Sequence, residues 1–135
     1  MNGSLYVALV DDEATITRMI RFLIERSLGM AAREFNDSTK ALQVLTGDMA
    51  NVLLVICDLR MPKVDGLQLC RRLRENDPDC PLILLSAYVS EEMEAEARQI
   101  GVNRIIPKPF VPAQFLTDVR QLSAERLRHL ETQGG

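Results

Sequence analysis

Hydrophobic residues along the chain form short continuous runs that alternate with segments of helical periodicity. The runs at 5–10, 52–57 and 81–85 are apolar throughout. Such runs are typical of strands buried on both faces of a parallel sheet. Weaker strands are predicted at about 31–35 and 104–106. The chain is therefore expected to contain five strands.

Between these runs, apolar positions recur every three or four residues, which indicates amphipathic helices. Ile16, Ile20 and Ile24 mark the first helix, and Gly29 is its stop signal. Four further helices are predicted: from Ser38 as N-cap to Gly47, from Asp65-Gly66 through Leu73, over 91–100 up to Gly101, and from Pro112 to about Leu130. Strands alternating with helices predict an α/β fold, a parallel sheet covered on both faces and joined by right-handed crossovers.

Polar side chains stand where four of the predicted strands end. These residues are Asp11 and Asp12 after the first strand, Asp58 after the third, Ser86 after the fourth and Lys108 after the fifth. Because the carboxyl ends of parallel strands meet at one edge of the sheet, where ligands bind in this fold class, we expect these groups to lie close together.

The types of these side chains indicate phosphoryl transfer. Three neighbouring carboxylates repel one another unless a cation neutralises them, and Mg²⁺ prefers oxygen ligands. A carboxylate can act as a nucleophile toward phosphorus. A lysine and a hydroxyl can then stabilise charge on the phosphoryl oxygens. The sequence therefore predicts a magnesium site with an aspartate that accepts a phosphoryl group.

Four short motifs, in this order, resemble those of the receiver domain of two-component response regulators, a group that includes chemotaxis regulators. They are Val10-Asp11-Asp12-Glu13, Asp58-Leu59-Arg60-Met61-Pro62 followed by Asp65-Gly66, Ser86-Ala87, and Pro107-Lys108-Pro109-Phe110. The resemblance covers about residues 6–122. It implies a doubly wound, flavodoxin-like sheet of order 2-1-3-4-5 with five helices.

The resemblance also implies a role for each carboxylate. Asp58 would be the phosphoacceptor, and Asp11, Asp12 and Asp58 would hold Mg²⁺. The backbone carbonyl of Arg60 would be a further ligand of the ion. The phosphoryl donor would be a partner histidine kinase or phosphotransfer protein. The domain would thus be a signalling module that catalyses only its own phosphorylation and dephosphorylation.

The same resemblance covers the groups around the acceptor. Ser86 would bond one phosphoryl oxygen, and Lys108 another, or Asp58 before phosphorylation. The Lys108-Pro109 peptide bond is expected to be cis, which is tolerated at proline. One departure concerns Ile105, which stands where receivers often carry an aromatic residue that rotates inward on activation. Tyr88, two residues after Ser86, is the aromatic residue nearest to that hydroxyl in the sequence, but it is not at the usual position, so activation is expected to propagate differently here.

Two alternative functions compete with the receiver. A haloacid-dehalogenase-like Mg²⁺ phosphatase also uses an aspartate at a strand end, but it carries a second aspartate two residues later as acid and base. That position is Arg60 here. A flavodoxin-like binding module would need a hydroxyl-rich phosphate loop after the first strand, where Asp11-Asp12-Glu13 would repel phosphate without a metal. Both alternatives are therefore less favoured.

Composition narrows the class of protein. The chain has 135 residues, of which 47% are hydrophobic and 26% charged, with a net charge of −3. This predicts one globular domain that makes no direct contact with nucleic acid. No apolar run is long enough to cross a bilayer, and Met1–Ser4 lack the features of a signal peptide, so a cytoplasmic location is expected. The three cysteines match no metal or redox motif and are expected to be buried.

The last helix is expected to extend beyond the receiver, giving a domain over 1–122 and a helical extension with the start of a linker over 123–135. The extension has an amphipathic pattern. A homodimer is therefore expected through the last helix, beside the strand at Ile105 and the helix over 91–100. The residues expected to pair are Glu91, Glu92, Glu94 and Glu96 with Arg120, Arg126 and Arg128, around an apolar stripe of Leu122, Leu127 and Leu130. His129 is expected on a solvated face.

Overall fold

A computed structural model describes residues 4–134, with side chains through Thr132. The expectations about Met1–Gly3 and Gly135 lie outside these residues. Strands and helices alternate as the sequence predicts. Their bounds are β1 Tyr6–Val10, α1 Ala14–Leu28, β2 Ala32–Phe35, α2 Ser38–Thr46, β3 Val52–Asp58, α3 Gly66–Asn76, β4 Leu82–Ser86, α4 Glu91–Ile100, β5 Arg104–Pro107 and α5 Pro112–Gly134, with a 3-10 turn at Met49–Asn51 before β3.

All five strands are parallel and lie in the order β2-β1-β3-β4-β5. The expected doubly wound topology is therefore confirmed. Asp58 lies opposite Leu85 on β4, and Ser86 lies opposite Pro107 on β5. This register brings the ends of β3, β4 and β5 to the same edge of the sheet.

Alternate residues of β3 pack into two hydrophobic cores, one on each face of the sheet. Val55 and Cys57 belong to the core beneath α2, α3 and α4, whereas Leu54 and Ile56 belong to the core beneath α1 and α5. Because both faces are covered, every residue of β3 is buried. Cys57, Cys70 and Cys80 are buried free thiols, as expected.

Helix boundaries follow local capping chemistry, with one correction. Asp37, and not Ser38, is the N-cap of α2, because its carboxylate accepts hydrogen bonds from the backbone N–H groups of Thr39 and Lys40. Asp65 begins α3 in a capping box with Gln68. The capping residue is thus one position earlier than predicted for α2, and Ser38 is free for another contact.

The end of α5 differs from the prediction in two respects. The helix continues to Gly134, beyond the expected end near Leu130. Arg126, expected on an exposed dimer face, is only 3% exposed and packs against the body of the domain, as does Leu122. Neither side chain is therefore available to a second copy. No helix within residues 4–134 is both long and apolar enough to cross a membrane.

Candidate functional site

Three carboxylates meet at the carboxyl edge of the sheet. Asp11 and Asp12 directly follow β1, and Asp58 ends β3. One oxygen from each lies within 4.8 Å of the others. Asp11 and Asp58 are 3% and 8% exposed, whereas Asp12 faces solvent. The sequence therefore predicted correctly that these three side chains come together.

Lys108 completes the cluster from the adjacent strand. Its Nζ lies 2.8 Å from Oδ1 of Asp58 and 3.7 Å from Oδ2 of Asp11. The backbone of Lys108 is fixed to β4, because its N–H donates to the carbonyl of Ser86 at 2.8 Å. The Lys108-Pro109 peptide bond is cis, as expected. Burial by itself lowers the pKa of Lys108, but the hydrogen bond that Lys108 donates to Asp58 and the charges of the neighbouring carboxylates outweigh it and raise the pKa overall. Lys108 is therefore held in the charged form.

Asp11 is the member of the cluster with a buried oxygen that lacks a hydrogen-bond donor among the described residues. Burial raises its pKa to about 6, and the charge of Asp58 adds to this effect, although a hydrogen bond from the Glu13 N–H and the charge of Lys108 oppose it. Oδ1 accepts that N–H at 2.9 Å. Oδ2 is buried and accepts no hydrogen bond within residues 4–134.

This arrangement fits a divalent cation. Three carboxylates face one lysine, so the cluster lacks positive charge when all three are ionised. The oxygen of Asp11 that has no hydrogen-bond donor is one that a cation would satisfy, and the donor set consists of oxygen atoms, as Mg²⁺ prefers. The three aspartates are therefore suitable ligands for Mg²⁺.

The segment 59–65 between β3 and α3 directly follows Asp58. Its residues line a surface cavity of about 570 Å³ that includes Arg60 and Asp65. Gly66 closes this segment, because its N–H donates to the carbonyl of Leu59 at 2.8 Å. A Cβ on Gly66 would lie 2.5 Å from the backbone oxygen of Asp58. Only glycine fits there, a packing requirement that the sequence pattern alone did not indicate.

Ser86 is positioned at the end of β4 but has local hydrogen-bond partners. Its hydroxyl donates to the carbonyl of Tyr88 at 2.5 Å and accepts from the Tyr88 N–H at 3.1 Å. The side chain is buried. A phosphoryl oxygen would thus compete with the Tyr88 carbonyl for the hydroxyl proton. Tyr88 itself is 69% exposed, and Ile105 is half-buried beside the core.

Two residues in contact with this site were missed by the sequence analysis. Asn36 donates to the backbone carbonyl of Asp11 at 2.8 Å, and Ser38 donates to that of Pro62 at 2.9 Å. Asn36 lies in the connection between β2 and α2, and Ser38 is the first residue of α2. The only signal in the sequence is the polar run Asn36-Asp37-Ser38, which is equally typical of a helix cap.

The chain matches the family model described as "Response regulator receiver domain" over residues 7–120. It belongs to this family. The receiver therefore prevails over the phosphatase and flavodoxin-like alternatives, and the domain is a module of two-component signalling.

Individual relatives agree with this assignment. The chain is 32% identical to the C4-dicarboxylate transport transcriptional regulatory protein DctD of Rhizobium meliloti, over 93% of this chain and 27% of that protein. It is 34% identical to the transcriptional regulatory protein ResD of Bacillus subtilis, over 86% of this chain and 47% of that protein. The chain thus spans about half or less of the length of these two relatives.

Solved structures show the same architecture. The signal receiver domain of an HD domain-containing protein from Pseudomonas fluorescens superposes with a TM-score of 0.83 at 26% identity, covering 97% of this chain and 95% of that one. The Francisella response regulator 1452 receiver domain gives a TM-score of 0.80 at 27% identity, covering 90% and 98%.

Proposed function

We propose that Asp58 is the phosphoacceptor of this receiver, and that Asp11, Asp12, Asp58 and the backbone carbonyl of Arg60 hold Mg²⁺. The observation that carries the proposal is the contact of 2.8 Å between Lys108 Nζ and the Asp58 carboxylate beside two further aspartates. Asp58 is the member of the cluster that ends the central strand and contacts the lysine most closely.

The proposed phosphorylation uses these residues as follows. A carboxylate oxygen of Asp58 attacks phosphorus, and the bond from phosphorus to the donor nitrogen breaks. The electron pair leaves with that nitrogen, which takes up a proton, and Asp58 becomes an acyl phosphate. When bound, Mg²⁺ supplies positive charge at the phosphoryl oxygens. Lys108 moves its hydrogen bond from the carboxylate to a phosphoryl oxygen. The Ser86 hydroxyl stops donating to the Tyr88 carbonyl and donates to another phosphoryl oxygen.

The proposed donor is a phosphohistidine of a partner histidine kinase or phosphotransfer protein. The family match supports a donor of this class. Cytoplasmic location and the absence of direct nucleic-acid contact remain predictions for the piece of chain described.

Homodimerisation through α5 also remains a proposal, with fewer residues than first expected. Arg126 and Leu122 are buried in the domain, and Glu96 pairs with Arg71 of the same chain at 2.9 Å. Leu127, which is 40% exposed, remains accessible. Sedimentation with and without a beryllofluoride phosphoryl mimic tests association, and a monomer in both samples at high concentration would contradict it.

The assignment of Asp58 is tested by incubation with phosphoramidate and Mg²⁺, reduction of the acyl phosphate with borohydride and mapping of the product. We expect the label on Asp58 in the natural chain and none in Asp58→Asn. Asp79→Asn, an exposed aspartate away from the site, is the matched control and should be labelled normally. Label at the natural level in Asp58→Asn would reject the proposal.

A further inference from the structure

Residues 36–38, which comprise the connection between β2 and α2 and the first residue of α2, supply none of the proposed ligands, yet they contact two segments that do. One is the acidic segment 11–13. The other is the loop 59–65, which carries the Arg60 carbonyl. The two segments are far apart in the sequence, and pairing of β1 with β3 brings their starting points together at Val10 and Cys57. Beyond these strand ends, their positions depend on side-chain contacts.

Asn36 holds the acidic segment. Its Nδ2 donates to the Asp11 carbonyl at 2.8 Å and to Oγ1 of Thr17 at 3.0 Å. That carbonyl belongs to the peptide bond that joins Asp11 to Asp12, so the contact orients both residues. Thr17 is 1% exposed and is itself fixed, because its hydroxyl donates to Glu34 Oε1 at 2.7 Å.

Ser38 holds the loop. Its hydroxyl, on a residue that is 4% exposed, donates to the Pro62 carbonyl at 2.9 Å and accepts from the Val64 N–H at 3.2 Å. These two groups flank Lys63, whose φ of 71° lies in the left-handed region. A side-chain-bearing residue in this region costs about 1 kcal/mol, so the surrounding contacts must stabilise the loop.

A small gap separates the acidic segment from the loop. The cavity measures about 90 Å³ and is lined by Asp12, Asn36, Asp37, Ser38, Pro62 and Lys63. Residues 36–38 therefore line the gap between the two segments, and one hydrogen-bonding side chain is directed to each segment.

We propose that Asn36 and Ser38 are positioning residues that set the spacing between the acidic segment and the Arg60 carbonyl, and so preorganise the Mg²⁺ site. This inference rests on the proposed function. Mg²⁺ demands near-octahedral geometry with short bonds, so displacement of one ligand segment weakens binding. Residues that orient metal ligands typically change affinity by about 10-fold or more when removed.

The test is Mg²⁺ titration by calorimetry on the full chain. We expect the Mg²⁺ dissociation constant to rise about 10-fold in Asn36→Ala and in Ser38→Ala. Ser38→Thr retains the hydroxyl and should restore binding. Thr39→Ala removes the neighbouring exposed hydroxyl, and Asn76→Ala removes a carboxamide that donates to the Thr46 carbonyl far from the site. Both controls should bind as the natural chain does.

A measurement without metal separates positioning from general stability. In Ser38→Ala, amide hydrogen exchange at Val64 should accelerate in metal-free protein, because the N–H loses one acceptor. A purely structural role would instead lower the melting temperature and leave the dissociation constant unchanged, which would overturn the inference. Asn36 is exposed, so Asn36→Ala remains measurable even if Ser38→Ala fails to fold.

Asp12→Ala distinguishes failure of this inference from failure of the proposed function. If Asp12→Ala loses Mg²⁺ affinity while Asn36→Ala and Ser38→Ala keep it, only the positioning role is rejected. If the natural chain binds no Mg²⁺, or Asp12→Ala binds normally, the proposed metal site is rejected and the positioning role with it.

Discussion

Buried charges lie at both ends of the sheet, but their hydrogen bonding differs. At the carboxyl edge, Asp11, Asp58 and Lys108 form a cluster in which Oδ2 of Asp11 accepts no hydrogen bond within the described chain. At the opposite end, Arg126 and Asp77 are 2.9 Å apart and have several further partners.

The network at the opposite end is well satisfied. Arg126 donates from Nε to the Val52 carbonyl at 3.0 Å and from Nη2 to the Met49 carbonyl at 2.8 Å. Asp77 accepts from the N–H groups of Asp79 and Cys80. Burial alone would raise the pKa of Asp77, but these N–H groups and Arg126 lower it overall.

Asp11, which is buried, and Asp77, which is half-buried, therefore differ in the direction of their pKa shifts. Asp77 has a lowered pKa because its partners are complete, whereas the pKa of Asp11 is raised to about 6 because burial and a second carboxylate dominate. A complete network contributes to the stability of the fold. An incomplete network lowers the stability of the free protein. Such a network is expected at a site where a bound ligand supplies the missing partner.

The largest effect is expected from Arg126→Ala, which breaks the complete network. The substitution leaves half-buried Asp77 and the carbonyls of two buried residues without this donor, so it should lower the free energy of unfolding by about 3 kcal/mol. Urea denaturation measures this. Arg128→Ala, on an exposed position of the same helix, is the control and should change stability little. A loss below about 1 kcal/mol in Arg126→Ala would show that the network is not stabilising.

A smaller effect of opposite sign is expected from Asp11→Asn. Without metal at pH 8, this substitution removes a buried charge and should stabilise the protein by about 2 kcal/mol. Because the folded pKa of Asp11 is about 6 and the ordinary value 3.8, the folded state retains a proton that the unfolded chain releases. The contribution of Asp11 to stability should therefore fall as pH rises from about 4 to about 6.

Thermal denaturation of metal-free protein across this pH range measures the difference, with Asp79→Asn as the exposed control. Added Mg²⁺ should stabilise the natural chain at pH 8 and stabilise Asp11→Asn less. Equal stability of the natural chain and Asp11→Asn at every pH would contradict the assignment of Asp11 as an unsatisfied carboxylate.

The smallest effect is expected from His129→Ala, one turn beyond Arg126 on α5. His129 Nε2 lies 3.1 Å from Asp79 Oδ2, but the two side chains are 36% and 53% exposed. Exposed pairs contribute little, so stability should change by less than about 0.5 kcal/mol in urea denaturation. A loss of stability comparable to that of Arg126→Ala would show that exposure does not explain how much each of the two contacts contributes to stability.

Much of the fold and site could be predicted from local patterns. The apolar run before Asp58 predicted a strand buried on both faces, and β3 is buried throughout. The positions of Asp11, Asp12 and Lys108 after their strands predicted one cluster, because parallel strands bring their carboxyl ends to the same edge.

Other contacts depended on partners distant in the sequence. Arg126 was expected on an exposed face of the last helix, available to pair with a second copy, since periodicity assigns a charged residue to the polar side of a helix. It is buried because it bonds carbonyls 74 and 77 positions away. Likewise, Ser38 was interpreted as a cap, yet its hydroxyl bonds the loop 24 and 26 residues ahead.

Sequence periodicity and strand-end chemistry thus determined the element order, the buried strands and the identity of the clustered charges. The tertiary structure alone decided which charged group has a full set of hydrogen-bond partners, which glycine must lack a side chain and which polar residues contact the segments around the site. The physical reason is that hydrophobic patterns repeat over a few residues, whereas a hydrogen bond between distant segments depends on the position and direction of two atoms that only folding brings together.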